Sequence, residues 1–353
     1  MPHADLRNHT RFAEAVLPLA DENGRALLVP LLQATFEIDA LGGLHLLDEQ
    51  PAIDLAGTFW PPLPGADQGA ERSVRMEPQI AFAKPACDVV LLAHAVAPAS
   101  QTKCMLVEFA VGGVRQSALV SGERRLLSSR KVGTPAPFDR VALRYEHAFG
   151  GADLRSDDRA RQRVDSRNPI GRGMAFPGEV PDPEWLMPQV EDPTAPLTEY
   201  GQVVPVAGFG FIASHWQPRA GYSGTYDAGW LATRMPLLPR DFDRRYFNAA
   251  PPALVCAQSP AGGERVDVVG TTSQGRIGFS LPELGTPLFH AAIRRGPRQT
   301  QKMRLDTIVV DTDAMRLTLL WRAQLLLRDG VHGMIAGEFH LPDARARRYF
   351  RQA

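Results

Sequence analysis

The sequence lacks an excess of charge of either sign. Its 353 residues include 39 basic and 39 acidic side chains, so the formal net charge is zero. A protein that binds nucleic acid through its electrostatic field needs a basic excess on at least one face. The basic clusters at Arg124-Arg125 and between Arg345 and Arg348 are short, as is typical of a solvated surface. We therefore expect no nucleic-acid partner.

Cysteine is scarce as well. Cys87, Cys104 and Cys256 are odd in number, lie far apart and form no C-x-x-C pair. This pattern argues against the disulfide framework of a small secreted domain and against a cysteine-based zinc site. We expect three small, buried apolar side chains in a reducing compartment.

Long apolar runs are missing. No window approaches the about 18 apolar residues of a membrane-spanning helix, and the chain up to Gly24 contains no continuous apolar stretch. The sequence therefore predicts neither a secretory signal nor a membrane contact. We expect a cytoplasmic protein.

The common signatures of cofactor and metal chemistry are absent too. The nine histidines show no H-x-x-x-H spacing, and no P-loop or G-x-S-x-G elbow occurs. Gly208-Phe209-Gly210 is not followed by the third glycine of a dinucleotide fingerprint. We expect no cofactor, no metal and no catalytic centre.

What the sequence does contain is a series of β-strand patterns. Apolar runs cover 25–38 and 88–96, as in strands that are buried on both faces. Alternating runs at 105–111 and 114–120 flank Gly112-Gly113, which is a strong hairpin signal. These patterns predict a mainly β protein.

Helical patterns are few. They are confined to 227–234, 241–247 and 342–351, whereas 305–322 reads as a second hairpin around Asp311-Thr312-Asp313. We expect two packed β-sandwich-like or half-barrel lobes with long ordered loops and few short helices. The division we predict is an N-terminal β lobe at 1–150, a polar loop-rich crossing segment at 151–202 and a C-terminal β lobe at 203–353.

The segment 205–251 is the most informative part of the chain. Bulky aromatic residues alternate there with Gly, Pro, Asp and Arg, without a regular helical or strand period. Such a segment is too apolar for a disordered linker, and aromatic and arginine side chains on ordered loops are typical of protein-binding surfaces. An alternative is that Trp216, Trp230 and Phe242 form a core under the loops. The candidate partner-binding residues are Phe209, Trp216, Arg219, Tyr222, Tyr226, Asp227, Trp230, Asp241, Phe242 and Asp243.

Acidic side chains in and near this segment leave a second function open. A hydrolase acting on glycan or peptide would use dispersed carboxylates, and the candidates are Glu146, Asp227, Asp241 and Asp243. Asp227 also fits a helix N-cap, and the other aspartates fit caps or arginine pairs. Glu146 and His147, if they lie on a strand, point to opposite faces and do not form an acid–base pair.

Short motifs along the chain carry a family resemblance. In order they are Asn8-His9-Thr10, Gln33-Ala34-Thr35-Phe36, Lys84-Pro85-Ala86-Cys87-Asp88-Val89, Tyr145-Glu146, Ala148-Phe149-Gly150-Gly151, Asn168-Pro169-Ile170-Gly171-Arg172-Gly173, Ala207-Gly208-Phe209-Gly210, Pro218-Arg219, Gly224-Thr225-Tyr226-Asp227, Asp241-Phe242-Asp243, Asn248-Ala249-Ala250-Pro251, Leu305-Asp306-Thr307 and Trp321-Arg322-Ala323. The series resembles a bacterial family of a domain long described as of unknown function, whose members are found with type VI secretion components. Gln33 and Cys87 depart from the Lys and Thr that the family tends to have.

The resemblance implies a role rather than a reaction. Members of that family are regarded as adaptors or chaperones that load a toxin effector onto the spike of the secretion needle. The partners it implies are an effector and a spike or spike-tip protein, and no catalytic residue carries over. We therefore expect a non-enzymatic adaptor, with the hydrolase as the alternative.

Overall fold

A computed structural model describes residues 5–67, 69–127, 130–154, 156–158, 160, 162–176, 182–294, 296–327, 334–341 and 349. The strands, in chain order, are β1 (Asp5–Asn8), β2 (Ala13–Ala20), β3 (Ala26–Ile38), β4 (Leu44–Leu46), β5 (Thr58–Phe59), β6 (Val74–Met76), β7 (Cys87–Leu92), β8 (His94–Val96), β9 (Cys104–Val111), β10 (Val114–Ser121), β11 (Arg140–Ala142), β12 (Phe149–Gly150), β13 (Ala152–Asp153), β14 (Arg163–Val164), β15 (Arg172–Gly173), β16 (Val190–Glu191), β17 (Val255–Cys256), β18 (Arg265–Val269), β19 (Arg276–Ser280), β20 (Leu288–Ile293), β21 (Gln299–Lys302), β22 (Arg304–Asp311), β23 (Arg316–Arg322), β24 (Leu325–Leu326) and β25 (Met334–His340).

Helices are few and short, as predicted. One α-helix, α1, covers Ala228–Thr233, and 3-10 helices occur at Tyr145–His147, Arg219–Tyr222, Arg244–Phe247 and Pro252–Leu254. The predicted helix at 342–351 falls almost entirely outside the described residues. None of the described helices has the length and apolar character needed to cross a membrane.

Two large sheets form the body of the molecule, and the mainly β class is confirmed. The larger sheet has the order β17-β7-β22-β23-β3-β2, with β4 and β24 also paired to β3, and the smaller has the order β16-β10-β9-β18-β19. One hydrophobic cluster contains Val89 and Leu319 of the larger sheet together with Phe109 and Val266 of the smaller. This shared core gives the two sheets a sandwich-like packing.

Both predicted hairpins are confirmed. β9 and β10 pair antiparallel from Val111 opposite Val114 across the two-glycine turn, and β22 pairs with β23. Cys87 is buried as predicted, but Cys104 is exposed and Cys256 is half-buried. Cys104 lies at the start of β9, whose side chains alternate between the core and the solvent, so its predicted burial is wrong.

Strand β3 explains why one part of the chain is apolar without alternation. Leu28, Leu32 and Phe36 enter the main core, while Leu27 and Leu31 enter a second cluster on the opposite face of the sheet. A strand covered on both faces needs apolar side chains at successive positions. The second cluster is closed by residues of the aromatic segment, namely Leu238, Phe242 and Phe247.

The sheets mix strands from both halves of the chain. β3 and β7 precede residue 150, yet they pair with β23 and β22 from the far side of it. In the smaller sheet, β9 pairs with β18, and the crossing segment contributes β16. The two lobes predicted at 1–150 and 203–353 therefore share their main sheets.

A third sheet joins the two ends of the described chain. Its order is β1-β25-β20-β21, and β1 runs parallel to β25 with Asn8 opposite Phe339. This sheet places residues from the start and the end of the sequence on one surface.

Candidate protein-binding surface

The aromatic segment divides into a buried part and an exposed part. Phe209 and Trp216 have no exposed surface, and Arg219 is 2% exposed. Exposure increases from Tyr222 onward, and Tyr226 is 52% exposed. Phe209, Trp216 and Arg219, which the sequence made candidates for partner contact, therefore have almost no surface to offer a partner and instead support the loops.

Trp216 and Arg219 fix the base of the segment through polar contacts. The indole Nε1 of Trp216 donates to Oε1 of Glu71 at 2.8 Å. The guanidinium of Arg219 donates to the carbonyl of Ile212 at 2.6 Å, the carbonyl of Tyr246 at 2.9 Å and Oε1 of Glu77 at 2.6 Å. A buried arginine with this many partners is satisfied and holds separate backbone stretches together.

The exposed part is centred on α1. Its N-cap is Asp227, whose carboxylate accepts a hydrogen bond from the Trp230 amide at 2.7 Å, as the sequence indicated. No residue of α1 is buried, and the apolar side chain of Leu231 leaves 60% of that residue's surface exposed. Just after the helix, Met235 is 59% exposed. We call Tyr226, Trp230, Leu231 and Met235 the α1 surface.

Polar anchors hold α1 in place although none of its side chains is buried. Trp230 donates from Nε1 to the carbonyl of Leu237 at 2.9 Å, and its ring meets the Tyr226 ring edge-on at 4.8 Å. Arg234 donates to the carbonyls of Leu238 and Glu22, both at 2.8 Å. Because Glu22 lies in the turn between β2 and β3, the bond to its carbonyl ties the helix to the edge of the larger sheet.

Gly224 and Asp241 close the loop before α1. Gly224 has φ of +83°, and a Cβ there would lie 2.8 Å from Cβ of Pro239, so only glycine fits without strain. Asp241 accepts from the amide and hydroxyl of Thr225 at 3.0 and 2.7 Å. These two hydrogen bonds lower the pKa of Asp241, so this carboxylate is ionised near neutral pH.

The remaining candidates lie beneath or beside this loop. Phe242 is half-buried in the second hydrophobic cluster, so it belongs partly to the core. Asp243 caps the 3-10 helix Arg244–Phe247 and pairs with Arg245 at 2.6 Å. The Arg245 guanidinium in turn lies over the Tyr222 ring, 4.4 Å from its centroid.

The four candidate carboxylates do not form one group. Asp227 and Asp241 line the same shallow cavity of about 260 Å³, together with Trp230 and Arg234. Asp243 and Glu146 are not among the residues that line it.

Glu146 and His147 lie in a 3-10 helix, so the strand geometry considered for them does not apply. Burial raises the pKa of Glu146, but hydrogen bonds from Arg144 and Ser73 outweigh this effect and leave the pKa lowered. Burial and the charges of Arg172 and Arg144 lower the pKa of His147 to about 4. His147 contacts Gln189 through Nδ1 at 2.9 Å, and it is neutral near pH 7.

Motif residues that are distant in sequence meet in a buried polar network. Asp88 has no exposed surface, and it accepts from Lys84 Nζ at 2.9 Å and from Asn248 Nδ2 at 2.9 Å. Lys84 also donates to the Thr307 hydroxyl at 2.8 Å. The same network continues to Asp306, whose carboxylate accepts a hydrogen bond from Nε of Arg322 at 2.6 Å. The order of the motifs along the sequence did not reveal this convergence.

The network has a structural role at the centre of the larger sheet. Lys84 and Asp88 flank the start of β7, Thr307 lies directly opposite Asp88 on β22, and Asn248 follows the exposed loops. Because Asp88 also accepts from the amides of Ala249 and Ala250 at 3.0 and 3.3 Å, it connects the sheet to the end of the aromatic segment. The loops that carry the α1 surface are thus fixed to the core at both ends.

Comparison with known protein families shows to which family the chain belongs. Residues 23–322 match the model of the family described as "Uncharacterized protein conserved in bacteria (DUF2169)", and the protein belongs to this bacterial family. Comparison with curated proteins and with solved structures gave no significant match to either.

Proposed function

We propose that this protein is a non-enzymatic adaptor or chaperone that binds a toxin effector of type VI secretion and helps to load it onto the spike. The observation that carries the proposal is the α1 surface, in which large apolar side chains are exposed on a helix that is itself firmly anchored. The type VI setting rests on the resemblance of the ordered motifs, and the family match over most of the chain supports the use of that resemblance.

The α1 surface has the physical properties of a docking site. Tyr226, Leu231 and Met235 are each more than half exposed, and covering such side chains is favourable by about 25 cal/mol for each Å² of apolar surface removed from water. Anchored side chains lose less conformational freedom on binding than mobile ones. Aromatic anchors in such sites contribute about 2 kcal/mol or more each.

The candidate carboxylates have local structural partners. Asp227 caps α1, Asp241 holds Thr225 and Asp243 holds Arg245. A general acid near neutral pH needs a raised pKa, whereas the pKa values of Asp241 and Asp243 are lowered. These roles favour the adaptor over the alternative hydrolase.

One observation keeps the hydrolase as a second candidate. Asp227 and Asp241 share a cavity with the indole of Trp230, and aromatic rings can stack on sugars. Asp241→Asn is the direct test, because glycan or peptide hydrolysis by the purified protein that disappears in this variant would establish the enzyme. Hydrolysis that persists unchanged would remove Asp241 from that role.

The adaptor proposal is tested by co-purification from the native host under secreting conditions. The variant Leu231→Asp/Met235→Asp places charges on the α1 surface without touching a buried residue. The matched control is Leu41→Asp, which changes a 95% exposed leucine in the turn between β3 and β4. Proteins recovered with each form are identified and quantified by mass spectrometry.

The adaptor account predicts that the wild type and the Leu41→Asp control recover a toxin-like protein or a spike component. It predicts at least about a tenfold loss of that partner with the double variant, equivalent to about 1.4 kcal/mol. Equal recovery with all three forms would contradict the α1 surface as the docking site. Recovery of no such partner by the wild type, together with unchanged effector secretion on deletion, would contradict the adaptor function itself.

A further inference from the structure

The sheet that joins the two ends of the chain brings together side chains suited to bind a metal. Glu338 and His340 are two residues apart on β25 and therefore point to the same face. His9 directly follows β1, and its amide donates to the carbonyl of Phe339 at 3.0 Å. The parallel pairing of β1 with β25 thus fixes His9 beside the other two residues.

The ligand atoms of these three residues lie close together. One nitrogen of each histidine and one carboxylate oxygen of Glu338 are all within 4.8 Å of one another. His340 Nε2 is 3.3 Å from Glu338 Oε2, and the His9 and His340 rings stack with centroids 4.4 Å apart. A tetrahedral ion with bonds of about 2.0–2.1 Å needs ligand atoms roughly 3.3 Å apart, so the side chains have to move closer together to bind one.

We propose that His9, Glu338 and His340 bind a divalent transition-metal ion of the class that prefers imidazole, with Zn²⁺ as the first candidate. Two imidazoles and one carboxylate form a known zinc ligand set, and imidazole ligands also suit Cu²⁺ and Ni²⁺. Sequence spacing predicted no metal site because the three ligands come from opposite ends of the chain. The inference does not depend on the adaptor role.

The groups around the cluster affect its ability to bind a metal in opposite directions. A hydrogen bond with His340 lowers the pKa of Glu338, so its carboxylate is ionised near neutral pH and is able to bind a metal. His290 on β20 lies with its ring 5.0 Å from that of His340, and burial and then His340 lower its pKa. His290 is therefore a neutral neighbour, and its Nδ1 contacts the Thr300 hydroxyl at 2.7 Å. The guanidinium of Arg298 interacts electrostatically with Glu338, and its positive charge opposes the binding of a cation there.

Bound metal would connect β1 to β25 and so fasten the amino-terminal strand. All three ligands lie outside the residues 23–322 that match the family model, so the site is a property of this chain beyond the matched region. An ion that binds only the folded state raises its stability in proportion to ln(1 + [metal]/Kd). Zn²⁺ is therefore expected to raise Tm.

The test uses the full chain without a histidine tag. Zn²⁺ binding is measured by isothermal titration calorimetry, and Co²⁺ serves as a spectroscopic probe of the ligand set. The variants His9→Gln, Glu338→Gln and His340→Gln each remove one ligand. His45→Gln is the matched control, because His45 forms an exposed pair with Asp39 at 3.0 Å elsewhere on the surface.

We expect one Zn²⁺ per chain, d–d absorption from bound Co²⁺ and a higher Tm with Zn²⁺. Each ligand variant should bind at least about 10-fold more weakly, while His45→Gln binds as the wild type does. No binding by the wild type, or equal binding by a variant that lacks all three ligands, would overturn the proposal.

Discussion

The buried pair of Lys84 and Asp88 provides the sharpest test of how the core holds the loops. The side chains are 2% and 0% exposed, and Nζ of Lys84 lies 2.9 Å from the Asp88 carboxylate. Asp88→Asn keeps the shape of the side chain but leaves the Lys84 ammonium buried without its counter-charge. Removing one partner of a buried ion pair costs about 3–5 kcal/mol, and we expect a loss of this size in the free energy of unfolding.

The companion variants separate the charge from the hydrogen bonds. Lys84→Met removes the ammonium and leaves Asp88 with donors from Asn248 and two backbone amides. The double variant Lys84→Met/Asp88→Asn contains no uncompensated charge. Its loss of stability should therefore be smaller than the sum of the two single losses, with a coupling of about 0.5–3 kcal/mol.

The assay is urea unfolding followed by circular dichroism. The control is Asp48→Asn, which breaks an ion pair with Arg11 at 3.1 Å whose side chains are 65% and 43% exposed, and exposed pairs contribute about 0–1 kcal/mol. The buried network would not stabilise the larger sheet if Asp88→Asn were no more destabilising than Asp48→Asn. The same conclusion would follow if the stability losses of Lys84→Met and Asp88→Asn simply added in the double variant.

Three further predictions follow from single side chains. Trp216→Ala should lower the free energy of unfolding by about 3–5 kcal/mol because it empties a fully buried site. Trp230→Ala, at a half-buried position of α1, should cost clearly less, and equal losses in denaturant unfolding would contradict the division of the segment into a buried and an exposed part. Asp227→Ala should lower the stability of α1 by about 1 kcal/mol through loss of the N-cap, and this loss should appear as faster amide hydrogen exchange in α1. Unchanged exchange would show that the hydrogen bonds of Trp230 and Arg234 hold α1 without the cap. The folded-state pKa of Glu146 lies below its usual value of 4.5, so the stability that its carboxylate contributes is present above that pH and is lost as the pH falls through the folded-state pKa. Glu146→Gln should therefore flatten the decrease of Tm below about pH 4.5. An unchanged dependence of Tm on pH in acid would refute this role of Glu146.

Local patterns in the sequence were sufficient for the central strands and hairpins. The run at 25–38 reflects the burial of one strand on both faces, and the turn at Gly112-Gly113 sets a hairpin within a few residues. The sheet formed by β1 and β25 was not predictable in this way. β1 is the polar tetrapeptide Asp5–Asn8, and its pairing joins residues more than 300 positions apart.

The candidate surface was located by composition but not resolved into core and exposed parts. Trp216 and Trp230 occur in similar aromatic, glycine-rich surroundings in the sequence. Only the fold distinguishes them, because Trp216 packs edge-on against Tyr145 while Trp230 stands on a helix tied to the sheet edge. The metal-ligand cluster was missed for a related reason, since no spacing rule connects His9 with His340.

Photo-crosslinking at position 231 in the living host tests the central claim most directly. A photoreactive phenylalanine analogue replaces Leu231 in one strain and Leu41 in another, and crosslinked proteins are identified by mass spectrometry under secreting conditions. The account predicts a crosslink to a toxin-like protein or a spike component from position 231 and none from position 41. Absence of such a crosslink at position 231, with the protein folded and secretion active, would contradict the α1 surface as the site that binds the partner.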